Sequence, residues 1–162
     1  MCRGILKSLV LSLVLSIVLA DYCDICNDDN VQTTLRSHSP QHAMLLAGFS
    51  LKTPSNATAL SFQLDSNVVL LNAAGKPTWD TRTQGKDANR LVMQDDGNLV
   101  LLTTLDKPIW ASQTSRIGQS PFCFHFSDLQ PPTVWDSQCY ALFSSKNGVY
   151  RPRAASDLKD IA

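Results

Sequence analysis

Two rows of polar side chains, each spaced at every second residue, carry the chemistry of this chain. Gln63, Asp65 and Asn67 form one row and Gln94, Asp96 and Asn98 the other, with Val69 and Val100 following at the same interval. Such a row offers amide donors, amide acceptors and a carboxylate acceptor. A pyranose presents neighbouring hydroxyls, each both donor and acceptor. A row mixing the two kinds engages two or three of them together, and the valine supplies an apolar surface for ring C–H groups. A shallow site of this type is weak alone, on the order of millimolar, or about −4 kcal/mol. Repetition restores useful strength through avidity.

The rows recur because the sequence around them recurs. Residues 63–81 read QLDSNVVLLNAAGKPTWDT and residues 94–112 read QDDGNLVLLTTLDKPIWAS, an offset of 31 with nine of nineteen positions identical. Each copy contains Lys-Pro-x-Trp, at Lys76, Pro77 and Trp79 and at Lys107, Pro108 and Trp110. A self-match at this period marks one supersecondary unit used repeatedly. From Ala59 the hydrophobic period is two, which predicts strands. Leu60, Phe62 and Leu64 are expected on one face, and Gln63, Asp65 and Asn67 along the other, neighbours about 6–7 Å apart. Asn72 to Gly75 reads as a turn, Lys76 to Thr81 as a short closing strand, and Arg90 to Ser112 repeats the scheme. Ala43 to Thr53 is expected to hold one or two strands punctuated by Gly48. A third unit follows without the polar row: Phe122 to Asp128 alternates, and Trp135-Asp136-Ser137 echoes Trp79-Asp80-Thr81. The three tryptophans are expected to meet as buried anchors on a pseudo-threefold axis.

Composition sets the outer bounds. Arg3 and Lys7 precede an apolar run from Leu9 to Leu19, and Val18-Leu19-Ala20 resembles a small-residue cleavage site. Residues 1–20 therefore read as a secretory signal peptide, too short in its apolar part for a membrane span. Without it, 12 basic residues face 14 acidic ones, a net charge near −2. No basic patch points to nucleic acid, and no segment suggests membrane insertion. All 14 acidic residues are aspartate, which suits turns between short strands better than helices. Residues 21–42 read as an irregular lead-in, 43–150 as the folded domain and 151–162 as a flexible tail. Cys23, Cys26, Cys123 and Cys139 are disulfide candidates in an oxidising route. The expected pairing is Cys123 with Cys139, leaving Cys23 and Cys26 for each other or for a partner chain. Asn56-Ala57-Thr58 is an N-glycosylation sequon.

The repeated rows resemble those of the bulb-type, mannose-binding lectins, whose pattern is Gln-x-Asp-x-Asn-x-Val-x-Tyr. The resemblance covers about Leu45 to Ser137 and is specific in the two middle units. It implies an all-β fold, a β-prism of three four-stranded antiparallel sheets around a pseudo-threefold axis with tryptophans at the centre. It implies that Gln63, Asp65 and Asn67 hydrogen-bond mannose hydroxyls with Val69 against the ring, and that Gln94, Asp96, Asn98 and Val100 do the same. Partners would be mannose-containing glycans or glycoproteins, with no cofactor, and a homodimer formed by exchange of terminal strands. The chain departs from the pattern at Leu71 and Leu102, where the family has tyrosine, and in its third unit. Losing a phenol hydrogen bond costs roughly 0.5–1.5 kcal/mol, about tenfold in affinity at each site.

Other signals rank lower. Cys23-x2-Cys26-x11-His38-x3-His42 lies close to a zinc-finger spacing, but the cysteines follow a secretory leader and the interval lacks a finger's apolar positions. His125, among Phe122, Phe124 and Phe126, reads as an outer-face strand residue and not as a base. No Gly-x-Ser-x-Gly, phosphate-loop or His-Glu-x-x-His motif is present. The expectation is a secreted, non-catalytic carbohydrate-binding protein. The alternative is a lectin-fold protein whose sugar sites have decayed and whose exposed apolar residues serve protein interaction.

Overall fold

The computed structural model describes residues 22–27 and 32–149. Residues 1–20, read as a signal peptide, and 151–162, read as a tail, lie outside them. A short 3-10 helix, Asp24–Cys26, precedes strands β1 (Thr34–Arg36), β2 (Met44–Leu46) and β3 (Ser50–Lys52). Three units follow: β4 (Ala59–Phe62), β5 (Val68–Leu71) and β6 (Pro77–Asp80), then β7 (Ala88–Met93), β8 (Leu99–Thr103) and β9 (Pro108–Ala111). The last unit is β10 (Cys123–His125), β11 (Thr133–Trp135), β12 (Ala141–Ser144) and β13 (Gly148–Val149). They form three antiparallel sheets, ordered β3-β4-β5-β6 (sheet I), β2-β7-β8-β9 (sheet II) and β1-β10-β11-β12-β13 (sheet III). The chain first contributes one edge strand to each sheet and then completes the sheets in turn. The expected all-β prism is present, and sheet III carries a fifth strand.

Period two explains the packing. Leu60, Phe62, Val68 and Leu70 of sheet I point inward, as do Leu91, Met93, Leu99 and Leu101 of sheet II and Phe124 and Val134 of sheet III. At the axis, Trp79, Trp110 and Phe143 meet edge to face, with ring centroids 5.9, 5.7 and 6.5 Å apart. That arrangement sets positive ring edges against negative ring faces. The expected third tryptophan is therefore replaced. Leu70, Leu101 and Val134 pair with Trp79, Trp110 and Phe143, whereas Trp135 pairs with Ala141 as Leu71 pairs with Pro77 and Leu102 with Pro108. A register shift precedes each of these last three pairs. Trp135 thus takes the outward position of Leu71 and Leu102, and Phe143 supplies the axial ring. Leu64 also departs from its expected inward face, lying in a turn at 85% exposure.

The segment read as an irregular lead-in contains β1, the edge of sheet III. Its cysteines do not pair with each other: Cys23 bonds Cys139 and Cys26 bonds Cys123, with Cα separations of 4.9 and 6.2 Å. The expected Cys123–Cys139 pairing is wrong because the short helix lies against β10 and reaches both partners. Arg36 reinforces this, its Nε and Nη2 donating to the Cys26 carbonyl at 2.8 and 2.5 Å. The guanidinium also sits 5.9 Å over the Tyr22 ring, and the Tyr22 hydroxyl donates to the Ser37 carbonyl. Burial raises the Tyr22 phenol above its ordinary value. His125 alternates away from Phe124 as expected, yet is only 7% exposed. Its Nδ1 lies 2.9 Å from Thr34 Oγ1 on β1.

Candidate functional site

The two polar rows sit on hairpin turns, not along strands. Gln63 follows β4 and Asn67 precedes β5, and the Gln63 N–H donates to the Asn67 carbonyl at 2.8 Å. Gln94 and Asn98 close the β7–β8 turn in the same way at 2.9 Å. A period-two pattern runs through so short a turn without changing parity, which is why it read as a strand. The third turn residue needs a left-handed backbone, at φ +78° for Ser66 and +88° for Gly97. A Cβ on Gly97 would also come within 2.9 Å of the Phe122 ring.

Part of the polar pattern has a structural task. Asp65 Oδ1 accepts the Asn67 N–H at 2.9 Å and Asp96 Oδ1 the Asn98 N–H at 3.0 Å, the Asx geometry that favours Asp in turns. Asn67 Oδ1 accepts from Thr81 Oγ1 at 3.0 Å and from the Thr83 N–H at 3.2 Å. Asn98 Oδ1 accepts from Ser112 Oγ at 3.1 Å and from the Thr114 N–H at 3.2 Å. Thr83 and Thr114 then donate to the Ser66 and Gly97 carbonyls at 2.7 and 2.6 Å. Each asparagine is therefore a latch between its turn and the segment after the tryptophan. Sequence reasoning missed these hydroxyl partners. Their signal is Thr81-x-Thr83 and Ser112-x-Thr114 at matching places in the two copies.

The two turns differ in what remains for a ligand. Asn67 is 3% exposed, and its Nδ2 donates to Asp80 Oδ2 at 3.0 Å. The residue matching Asp80 in sheet II is Ala111, as the pairs Val69–Asp80 and Val100–Ala111 show. Among the described residues nothing accepts from Asn98 Nδ2, and Asn98 is half-buried. Asp96 Oδ2 in turn accepts from Ser115 Oγ at 2.6 Å, while Gln63, Asp65 and Asp96 are exposed and Gln94 half-buried.

The outward faces behind the turns are in register and chemically distinct. Across sheet I the rows are Ser50, Ser61, Val69, Asp80 and Lys52, Ala59, Leu71, Pro77. Across sheet II they are Met44, Val92, Val100, Ala111 and Leu46, Arg90, Leu102, Pro108. Across sheet III they are Thr34, His125, Thr133, Ser144 and Arg36, Cys123, Trp135, Ala141. Val69 and Val100 therefore lie outward beside their triads, each 4% exposed. On sheet III the triad positions carry Ser127, Leu129 and Pro131, and the Cys26–Cys123 bond crosses the outer face. Three sheets, one axis and two polar turns over outward valines define a class: the chain has the bulb-type lectin fold.

No family model matches the chain, and no curated protein does. Solved structures do. The chain is similar to a monomeric monocot mannose-binding lectin from Gastrodia elata, at 28% identity over 72% of this chain and 99% of that one, with a TM-score of 0.60. It is similar to the mannose-specific agglutinin of snowdrop (Galanthus nivalis) bulbs in complex with methyl-α-D-mannoside, at 26% identity over 76% and 96%, with a TM-score of 0.54. The lectin of Polygonatum cyrtonema in complex with a monomannoside matches at 25% identity over 72% and 97%, with a TM-score of 0.55.

Proposed function

We propose that this protein is a secreted, non-catalytic lectin that recognises mannose-type glycans through the turns of sheets I and II. The observation that carries the reading is the free amide donor of Asn98, in the same turn as the exposed Asp96 carboxylate and next to Gln94, with Val100 outward at the start of β8. That set brings a donor, an acceptor and an apolar contact to one end of the β7–β8 hairpin, the complement of adjacent hydroxyls on one ring face. The likeness to lectins described as mannose-binding or solved with mannosides supports mannose as the sugar. Asn67, satisfied within the protein, makes sheet I the weaker site, and the face of sheet III takes no sugar. Asn56 lies exposed in the β3–β4 turn, a position open to the glycan its sequon specifies.

The test is a glycan array probed with the mature chain, Asp21 to Ala162, displayed multivalently, with free mannose as competitor. Binding to mannose-terminated glycans that mannose removes is the expected result. A blank array from folded protein overturns the reading and favours the protein-interaction alternative.

A further inference from the structure

A groove of about 240 Å³ runs between the end of sheet I opposite its triad and the β10–β11 turn of sheet III, lined by Thr58, Leu71, Asn72, Leu129, Gln130 and Pro131 among others. Much of it is apolar. Leu71 is half-buried and Pro131 exposed. Leu129 stands at the place that holds Asp65 and Asp96 in the other sheets, and it is 96% exposed. Amide groups lie among these side chains. Asn72 Oδ1 accepts the N–H groups of Ala74 and Lys76 at 3.0 Å each. Among the described residues nothing pairs with Asn72 Nδ2 or with the side-chain amide of Gln130. The groove suits an occupant that has both apolar faces and hydrogen-bonding groups.

The chain carries an attachment point for such an occupant at the groove's edge. Asn56 lies exposed in the β3–β4 turn, and its sequon threonine, Thr58, is itself a wall of the groove. The turn is fastened to sheet III. Ser55 Oγ donates to Asp128 Oδ2 at 2.5 Å and accepts the Ala57 N–H at 3.0 Å, while Thr53 Oγ1 accepts the Thr58 N–H at 3.1 Å. Asn56 sits in this framework at φ +58°, a backbone that asparagine tolerates. Resting on the secretory route proposed above, we propose that an N-glycan on Asn56 folds back and lays its first N-acetylglucosamine in this groove. In the transfer, Asn56 Nδ2 bonds to the anomeric carbon of a lipid-linked oligosaccharide diphosphate. The lipid diphosphate leaves with the bonding electron pair, and the amide gives up one proton. The acetamide and hydroxyls of the attached sugar then meet the amides of Asn72 and Gln130. Its methyl and ring C–H groups meet Leu71, Leu129 and Pro131, which removes apolar area from water. The sheet that lacks a triad is thereby covered at its turn by the chain's own sugar, and this patch is closed to protein partners.

The experiment compares three forms of the full chain secreted from a eukaryotic host: as secreted, trimmed enzymatically to one N-acetylglucosamine, and fully deglycosylated. The last step leaves Asp at position 56, which tolerates the same backbone. Mass spectrometry is expected to find Asn56 occupied. Nuclear Overhauser contacts are expected from the first sugar's acetyl methyl to Leu71, Leu129 and Pro131 in the first two forms. Amide shifts at Asn72 and Gln130 should change on full removal and not on trimming. Leu129→Ser, at a residue that supports no core packing, should lose the contacts to Pro131 while occupancy of Asn56 stays unchanged. A secreted chain with Asn56 bare, or a glycan that contacts nothing beyond its own turn, overturns the proposal alone. A chain retained in the cell overturns it together with the secretory route. Titration of the same three forms with methyl α-mannoside, read at Asp96 and Asn98, reports the lectin reading separately, and equal shifts in all three are expected.

Discussion

The turns of sheets I and II share their triads, their latches and their outward valines, yet the amide donor of one asparagine is spent inside the protein and that of the other is not. The difference rests on one neighbouring position, Asp80 against Ala111. A binding motif therefore describes the groups brought to a surface, not the groups still free once there. The residue across the strand decides that, and it lies outside the motif.

The largest expected effect comes from breaking the similarity at sheet I. Asn67→Asp removes the donor to Asp80 and sets two carboxylates together at a buried position. It should cost roughly 2–3 kcal/mol of stability, read as a lower denaturation midpoint at unchanged slope. Like charges raise a carboxyl pKa. The penalty should therefore shrink as pH falls and one carboxyl takes up a proton. Asn98→Asp is the contrasting case. It keeps the acceptor for Ser112 and Thr114, with no carboxylate opposite, so stability should change by about 0.5 kcal/mol or less. Its free donor is gone, and affinity for methyl α-mannoside at sheet II should fall about tenfold or more by calorimetry. Used alone, it separates sugar binding from folding.

Asp80→Ala sharpens the comparison from the other side by giving sheet I the residue of sheet II. Releasing Asn67 Nδ2 should raise affinity at that turn about fivefold, on the scale of one hydrogen bond, seen as stronger amide shifts at Asp65 and Asn67. An unchanged titration would mean that Asp80 does not set the difference. The smallest effect concerns the far end of sheet I, where Ser55 Oγ donates to Asp128 Oδ2 at 2.5 Å. That bond, with smaller contributions from Thr53 and Thr58, holds the Asp128 carboxyl below its ordinary 3.8. A carboxyl depressed in the folded state contributes stability above its unfolded pKa, and the contribution is lost as pH falls through the folded value. Ser55→Ala should move the Asp128 carbon titration up toward the ordinary value without altering sugar binding.

The repeated alternation made the inward faces of β4, β5, β7 and β8 legible, and with them the prism. The same regularity concealed the turns, because Asp-Asp-Gly-Asn is turn vocabulary set inside an unbroken period-two pattern. The outward place of Val69 and Val100 was readable, whereas the Asp80 clamp was not, since nothing local marks a contact thirteen residues away. In the third unit the Trp-Asp-Ser string misled: an axial position asks for a large ring, which phenylalanine supplies as well as tryptophan. The disulfides lay beyond local reading, with partners 116 and 97 residues apart.

The Cys23–Cys139 bond also decides where mechanical load travels. Tension applied between the residues before Cys23 and those after Cys139 passes from one end to the other through a single sulfur–sulfur link. Sheets I and II and the whole axial aromatic trio except Phe143 lie on the slack arm of that loop. A molecule tethered at both ends is thus pulled hard while its two triad turns keep their shape.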